Sequence, residues 1–313
     1  MKIVATSGRE DIAMVYVGEY NDGELVEFVE AVQPPIPLEE KWVLMISTLY
    51  GCPVECKMCD AGGFYHGKVS KERMFEQIDQ IVDLKFPDKV IPSKQFKIQF
   101  ARMGEPSFNL DVIKVLREFP SRYDAPGFMP SISTIAPNGT DEFFSQLKEV
   151  KNELYSNGNF QFQYSIHTTD QELRNDIIPV KKWDFAKLAE YGDDFYKEGD
   201  RKITLNFALA EGSPVDPKVL LNYFNPEKYL IKITPLNPTY KAENESLKSY
   251  IDPSKNGTGY SLVSKLEAAG YRTIVSVGET EENLIGSNCG QYILKHIRAK
   301  SSLQSGYLYQ VEN

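Results

Sequence analysis

The sequence predicts an α/β fold: a partial (β/α)6 TIM-like barrel with a small N-terminal β-hairpin and a C-terminal βα extension. Three observations carry this reading. Short apolar runs rich in β-branched and aromatic residues alternate with amphipathic stretches, the pattern of repeated βα units. Six such units follow one another, with no sign of eight. Polar, Gly and Pro residues gather just after each strand, at Cys52 to Cys59, Gly104-Glu105-Pro106, Ser133-Thr134, Ser165 and His167, Asn206, and Asn237-Pro238. In a barrel these strand ends converge on one rim, where active sites sit.

Residues 1–40 hold the hairpin, with strands at Ile12 to Val17 and Leu25 to Ala31 joined by the Asn21-Asp22-Gly23 turn. "QPPIPLEEK" then serves as a loop. The barrel occupies 41–240. Its strands are expected at Val43 to Thr48, Phe96 to Arg102, Met129 to Ile135, Phe160 to Ile166, Ile203 to Leu209 and Tyr229 to Pro235. Helices between them are expected at Ser70 to Leu84, Asp111 to Glu118, Asp141 to Leu154, Asp184 to Lys197 and Lys218 to Phe224. The extension, 241–313, opens with a helix from Tyr260 to Ala269 closed by Gly270. A strand at Arg272 to Val277 and a final helix near Cys289 to Lys300 complete it.

The 313 residues, 42% apolar and 25% charged, suit one large core or at most two domains. Residues 1–20 lack a basic start followed by an apolar stretch, and no run of about 18 apolar residues occurs. A cytoplasmic protein is therefore expected. Four cysteines, three of them clustered, read as a metal or redox site in a reducing compartment. The net charge of −9 argues against non-specific nucleic-acid binding, which draws most of its affinity from basic surfaces. Lys181-Lys182 is one of few short basic clusters.

Cys52, Cys56 and Cys59 admit two readings. Zinc is the plainer one, with His66 or Cys289 as a fourth ligand. The spacing CxxxCxxC, on a loop directly after a strand, instead lets three thiolates hold three irons of a [4Fe-4S] cube and leaves one iron open. An open iron can chelate the amino and carboxylate groups of S-adenosylmethionine and deliver an electron to its sulfonium, the entry to radical chemistry.

With that loop the sequence resembles the radical S-adenosylmethionine enzymes. More narrowly, "RMGEPSFN" (102–109), "SISTIAP" (131–137), "YSIHTTDQELRNDIIPV" (164–180), "ITLNFALAEG" (203–212), "ITPLNP" (233–238) and "NCGQY" (288–292) resemble the RlmN/Cfr group, methyl synthases that act on adenosine in RNA. The likeness runs from about Leu25 to Tyr292 in the family's order. It implies a [4Fe-4S] cluster on Cys52, Cys56 and Cys59, with S-adenosylmethionine contacted by Gly104, Glu105, Ser133, Ser165, His167 and Asn237. It also implies an electron donor such as flavodoxin or ferredoxin.

For Cys289, in "GSNCGQY", the resemblance implies a methyl carrier. One cofactor molecule methylates the thiol, and a second yields the 5'-deoxyadenosyl radical that takes hydrogen from the S-methyl group. The resulting carbon radical adds to an sp2 carbon of the substrate. Its place before a probable helix is expected to lower the thiol pKa. The family's second cysteine, which releases the adduct, has its place seven residues before Cys52, where this chain carries Met45. A thioether has no proton to lose and forms no disulfide. Glu27, in "LVEFVEA", aligns with an acidic residue of the family and is a candidate base; otherwise it is a solvent-facing strand carboxylate. RNA-modifying members carry a longer N-terminal segment than the 51 residues before Cys52. With the acidic charge, this favours a small-molecule, nucleotide or peptide substrate. An RNA adenosine methyl synthase and a radical enzyme without methyl transfer are the alternatives.

Overall fold

The computed structural model describes residues 1–252 and 260–293. The expected final helix near Cys289 to Lys300 lies, beyond Ile293, outside the described residues. The strands are β1 (Lys2–Arg9), β2 (Ala13–Glu19), β3 (Leu25–Ala31), β4 (Trp42–Met45), β5 (Leu49–Tyr50), β6 (Gly67–Lys68), β7 (Phe96–Gln99), β8 (Phe128–Thr134), β9 (Gln161–Ser165), β10 (Ile203–Ala208), β11 (Tyr229–Thr234) and β12 (Thr273–Val275). The helices are α1 (Lys71–Lys85), α2 (Asp111–Arg122), α3 (Asp141–Leu154), α4 (Gln171–Ile177), α5 (Phe185–Phe195), α6 (Pro217–Leu221), α7 (Tyr240–Asn244), α8 (Ser261–Ala268) and α9 (Thr280–Ile285).

One sheet runs β1-β2-β3-β4-β7-β8-β9-β10-β11-β12. From β4 to β12 every neighbouring pair is parallel, the six expected barrel strands plus a seventh. The N-terminal part departs from expectation: it is a three-stranded antiparallel meander, not a hairpin, and β3 pairs antiparallel with β4. The meander thus continues the barrel sheet.

Local chemistry explains the helix ends. Ser70 Oγ accepts from Arg73 N–H and starts α1, and Asp184 caps α5 through Lys187 N–H. Helix α2 runs past its expected end, through Pro120. Proline has no N–H to offer the Leu116 carbonyl four residues back, and the Tyr155 hydroxyl donates to that carbonyl instead, at 2.5 Å.

Alternation along the barrel strands sorts their side chains into two sets. Phe96 and Ile98, Phe162 and Tyr164, and Ile231 and Ile233 face outward into the main core beneath the helices. Lys97 and Gln99, Gln163 and Ser165, and Lys232 and Thr234 face the other way and are half-buried. These three strands thus turn polar side chains into the lumen. Among the described residues no helix is long and apolar enough to cross a membrane.

Candidate functional site

The cysteine loop leaves the sheet after β4 and is bracketed by the small β5·β6 ribbon. Cys52, Cys56 and Cys59 are free and half-buried. Burial pushes the Cys52 thiol up to about 11, and raises Cys56 and Cys59 with help from the neighbouring cysteines. The three thiols therefore stand within electrostatic reach of one another. Backbone groups of Val54, Glu55 and Glu105 near Cys52, and of Ala61 near Cys59, oppose that rise. Apolar walls with backbone amides close by suit thiolates bound to a cluster, whose metal supplies the missing positive charge. The donor set fits a [4Fe-4S] cluster. Among the described residues no three His, Cys, Asp or Glu side chains gather closely enough to hold a single metal ion. His66, offered above as a zinc ligand, has its ring nitrogens on Glu24 Oε2 and the Phe64 carbonyl and stacks on Tyr50.

Around this loop stand the rim residues. Gly104 has φ of +102°, and a Cβ there would lie 2.5 Å from Leu49 Cγ. Gly104→Ala is accordingly expected to cost about 1–3 kcal/mol, measured by urea denaturation; a change within 0.5 kcal/mol would contradict the strain argument. Glu105 is buried and accepts from the Ser107 N–H (3.2 Å), the Ser107 hydroxyl (2.7 Å), the Thr134 hydroxyl (2.6 Å) and the Ile135 N–H (2.9 Å). Burial raises its pKa and these four bonds oppose the rise. It thereby ties the β7 exit to the β8 exit as well as facing the cysteines.

Ser133 Oγ accepts from Gln163 Nε2 at 3.0 Å, across the Ser133↔Gln163 register of β8 and β9. Ser165 pairs in register with Asn206, whose side-chain carbonyl is buried without a partner. His167 has φ of +65° and accepts the Ala208 N–H on Nδ1 at 3.1 Å. Burial and the Arg174 charge hold its pKa down to about 3, so the ring is neutral with its proton on Nε2.

Cys289 is exposed, yet protein crowds it closely enough for burial to raise its thiol pKa, against the charges of Arg102 and Lys232. The lowering expected from a helix start is thus reversed. Although 237 and 230 residues separate Cys289 from Cys52 and Cys59, its loop lies against theirs. Asp60 N–H donates to the Gly290 carbonyl at 2.9 Å. Asn237 Nδ2 donates to the Cys289 carbonyl at 2.8 Å, a placement that gives this predicted cofactor residue a bond to the cysteine loop's partner.

Arg102 and Asp60 escaped the sequence reading as functional positions. The Arg102 guanidinium donates to the carbonyls of Gly286 (2.7 Å), Ser287 (2.9 Å) and Asn288 (3.1 Å) and lies over the Tyr292 ring. Its other partner is Glu27, which accepts from Nε at 2.8 Å and from the adjacent amino group. Glu27 is fully buried, so the solvent-facing alternative is corrected, and its carboxylate is engaged with a cation that grips the Cys289 loop. Buried Asp60 accepts from Tyr240 N–H and Lys241 N–H, both at 3.0 Å, fastening the cysteine loop to the start of α7. Arg102 stands in the quoted "RMGEP" motif and Asp60 directly follows Cys59; those neighbours were the available signals. Met45, half-buried at the end of β4, packs in the apolar cluster that also touches Cys52 and Cys59.

Comparison with known proteins finds no matching family profile. The chain is 25% identical to the probable dual-specificity RNA methyltransferase RlmN of Prochlorococcus marinus subsp. pastoris, over 67% of this chain and 56% of that protein. It is 27% identical to the like-named protein of Prochlorococcus marinus strain MIT 9515, over 61% and 52%. The matches thus span about half the length of these two relatives. The dual-specificity RNA methyltransferase RlmN of Wolinella succinogenes is 26% identical over 92% of this chain and 83% of its own. The crystal structure of a radical SAM methyltransferase from Sphaerobacter thermophilus superposes with a TM-score of 0.70 over 93% of this chain and 80% of that one, at 18% identity, which speaks to the fold. Cysteine loop, barrel and relatives agree in their likeness to the RlmN/Cfr-like radical S-adenosylmethionine methyltransferases, and the donor set fits that group's [4Fe-4S] cluster and S-adenosylmethionine.

Proposed function

We propose that the protein is a radical S-adenosylmethionine methyl synthase that acts on an sp2 carbon of adenosine in RNA, with Cys289 as the methyl carrier. The observation that carries this reading is the seating of the Cys289 loop against the cysteine loop, 2.9 Å apart at Asp60 and Gly290, from opposite ends of the chain. The names of the relatives support RNA as acceptor over the small-molecule substrate favoured by charge alone. A depression of about 530 Å3 lined by Asn138, Asn175, Pro179, Val180, Lys181 and Lys182 follows β8 on the same side and offers cationic and amide groups to a phosphate backbone.

When bound, the cluster and S-adenosylmethionine supply the electron, the methyl group and the hydrogen-abstracting radical. The chain's own residues then do the following. Cys52, Cys56 and Cys59 would hold the metal. Gly104 leaves room for close backbone approach, and Glu105, Ser133, Ser165, His167 and Asn237 line the cofactor's path around the rim. His167, neutral, presents Nε2–H as a donor. Arg102, oriented by Glu27, fixes the carbonyls just before Cys289 and so aims its sulfur. Met45 brings no second thiol to that sulfur, so resolving an adduct there would require an external thiol or another residue.

Two measurements test the reading. Intact mass of protein produced with its cluster is expected to show one S-methyl group, mapped by fragmentation to Cys289; unmodified thiol under those conditions would sink the carrier role. Incubation with total RNA and methyl-labelled cofactor is expected to place label in adenosine. Label confined to small molecules would restore the substrate class that the charge favours.

A further inference from the structure

The proposed chemistry gives Lys97 no role. Lys97, second residue of β7, and Lys232, fourth of β11, project into the lumen from across the barrel, since their strand neighbours Phe96, Ile98, Ile231 and Ile233 all point into the outer core. Neither ammonium makes a hydrogen bond or ion pair among the described residues. The charges acting on Lys97 are those of Lys232, Lys41 and Arg201, every one a cation. Lys232 feels Lys41 as well, with Cys289 and Glu282 as its negative neighbours. Lys41 directly precedes β4 and Arg201 shortly precedes β10, so both stand at the N-terminal mouth of the same lumen. Asn206, which pairs in register with Lys232, keeps its buried side-chain carbonyl unpartnered.

A half-buried cation without a partner is costly, and a group of cations facing one another is more so. In a chain of net charge −9, carboxylates were plentiful and none is placed against Lys97. We infer that the barrel lumen is a binding site for the phosphate or diphosphate group of a small molecule, held between Lys97 and Lys232 and admitted past Lys41 and Arg201. Compact ammonium groups suit phosphate as point charges, and two of them match a dianion. Crowding and its cationic neighbours draw Lys97 down to about 7, so a bound anion would restore its full charge. Lys232 also acts on the Cys289 thiol, so the site adjoins the rim chemistry while Lys97 lies deeper in the lumen.

Titration calorimetry on the full-length, cluster-loaded protein tests it, with sodium phosphate, sodium pyrophosphate, AMP and ADP as probes. Saturable binding of pyrophosphate or ADP is expected, weakened at least tenfold by Lys97→Met and by Lys232→Met and largely kept by Lys97→Arg. ADP much tighter than pyrophosphate assigns the site to a nucleotide, and equal affinities to a free diphosphate. Absence of saturable binding by all four probes, or unchanged affinity in Lys97→Met, overturns the proposal. Because a lumen variant can fail to fold, acetic-anhydride labelling of the wild type provides an independent reading: pyrophosphate is expected to protect Lys97 and Lys232 at least several-fold, and equal labelling with and without it would refute the site.

Discussion

Arg102→Met is expected to lower stability by about 3–5 kcal/mol, the usual cost of removing one partner of a buried ion pair. The reason is local and specific. Glu27 is fully buried, its carboxylate takes two guanidinium bonds, and the same guanidinium holds three carbonyls of residues 286–288. Removing it leaves the buried carboxylate without its counter-charge and releases those carbonyls together. Urea denaturation reads the first effect, and faster amide exchange across residues 286–291 reads the second. Glu27→Gln preserves shape and an acceptor, so its loss should be smaller. The double variant Glu27→Gln/Arg102→Met should recover part of the cost, a coupling of about 0.5–3 kcal/mol. An Arg102→Met protein within 0.5 kcal/mol of wild type would show that the clamp holds nothing.

The second large effect concerns Cys289, the proposed carrier. Cys289→Ala is expected to abolish methylated product, by about a thousandfold or more, as loss of a covalent nucleophile does. Its exposed position means stability should change by no more than about 0.5 kcal/mol. The ionisation of this thiol gives a pH signature. Burial outweighs the favourable charges of Arg102 and Lys232, leaving the pKa above its ordinary 9.0. Alkylation of Cys289 by iodoacetamide should therefore keep accelerating as pH rises past 9, and Lys232→Met should move the curve further up. A midpoint below the ordinary thiol value would instead restore the helix-start account.

What the sequence disclosed follows from the range of the forces involved. The parallel barrel strands are buried on one face under helices and lined by polar groups on the other, so runs such as "FKIQF" and "YLIKIT" carry both an apolar signal and its alternation. Caps such as Ser70 and Asp184 act within a single turn and mark helix starts closely. Strand β1 was missed because Lys2–Arg9 is an edge strand with Lys, Thr, Ser and Gly among its residues and only two fully buried positions. Helices α4, α7 and α9 span seven, five and six residues, too short to set up a period. At the site, the cysteine loop is contiguous and announces itself. The Glu27–Arg102 pair spans 75 positions and the Arg102 grip on Gly286 spans 184. No local pattern encodes either contact. The inward lysines were visible as polar breaks in apolar strands, but that they face one another emerges only when the sheet curls.

A barrel with too few strands has a slot where its first and last strands fail to meet. Here the sheet ends at β12 on one side, and α9 carries the chain back to β1 and β2, where Ser7 Oγ donates to the Ile285 carbonyl at 3.0 Å. The segment bearing Cys289 is thus a latch drawn across the slot and hooked onto the earliest-made strands. On the ribosome, that hook waits long before its latch arrives. The Cys289 loop therefore reaches its seat only when both ends of the described fold have met.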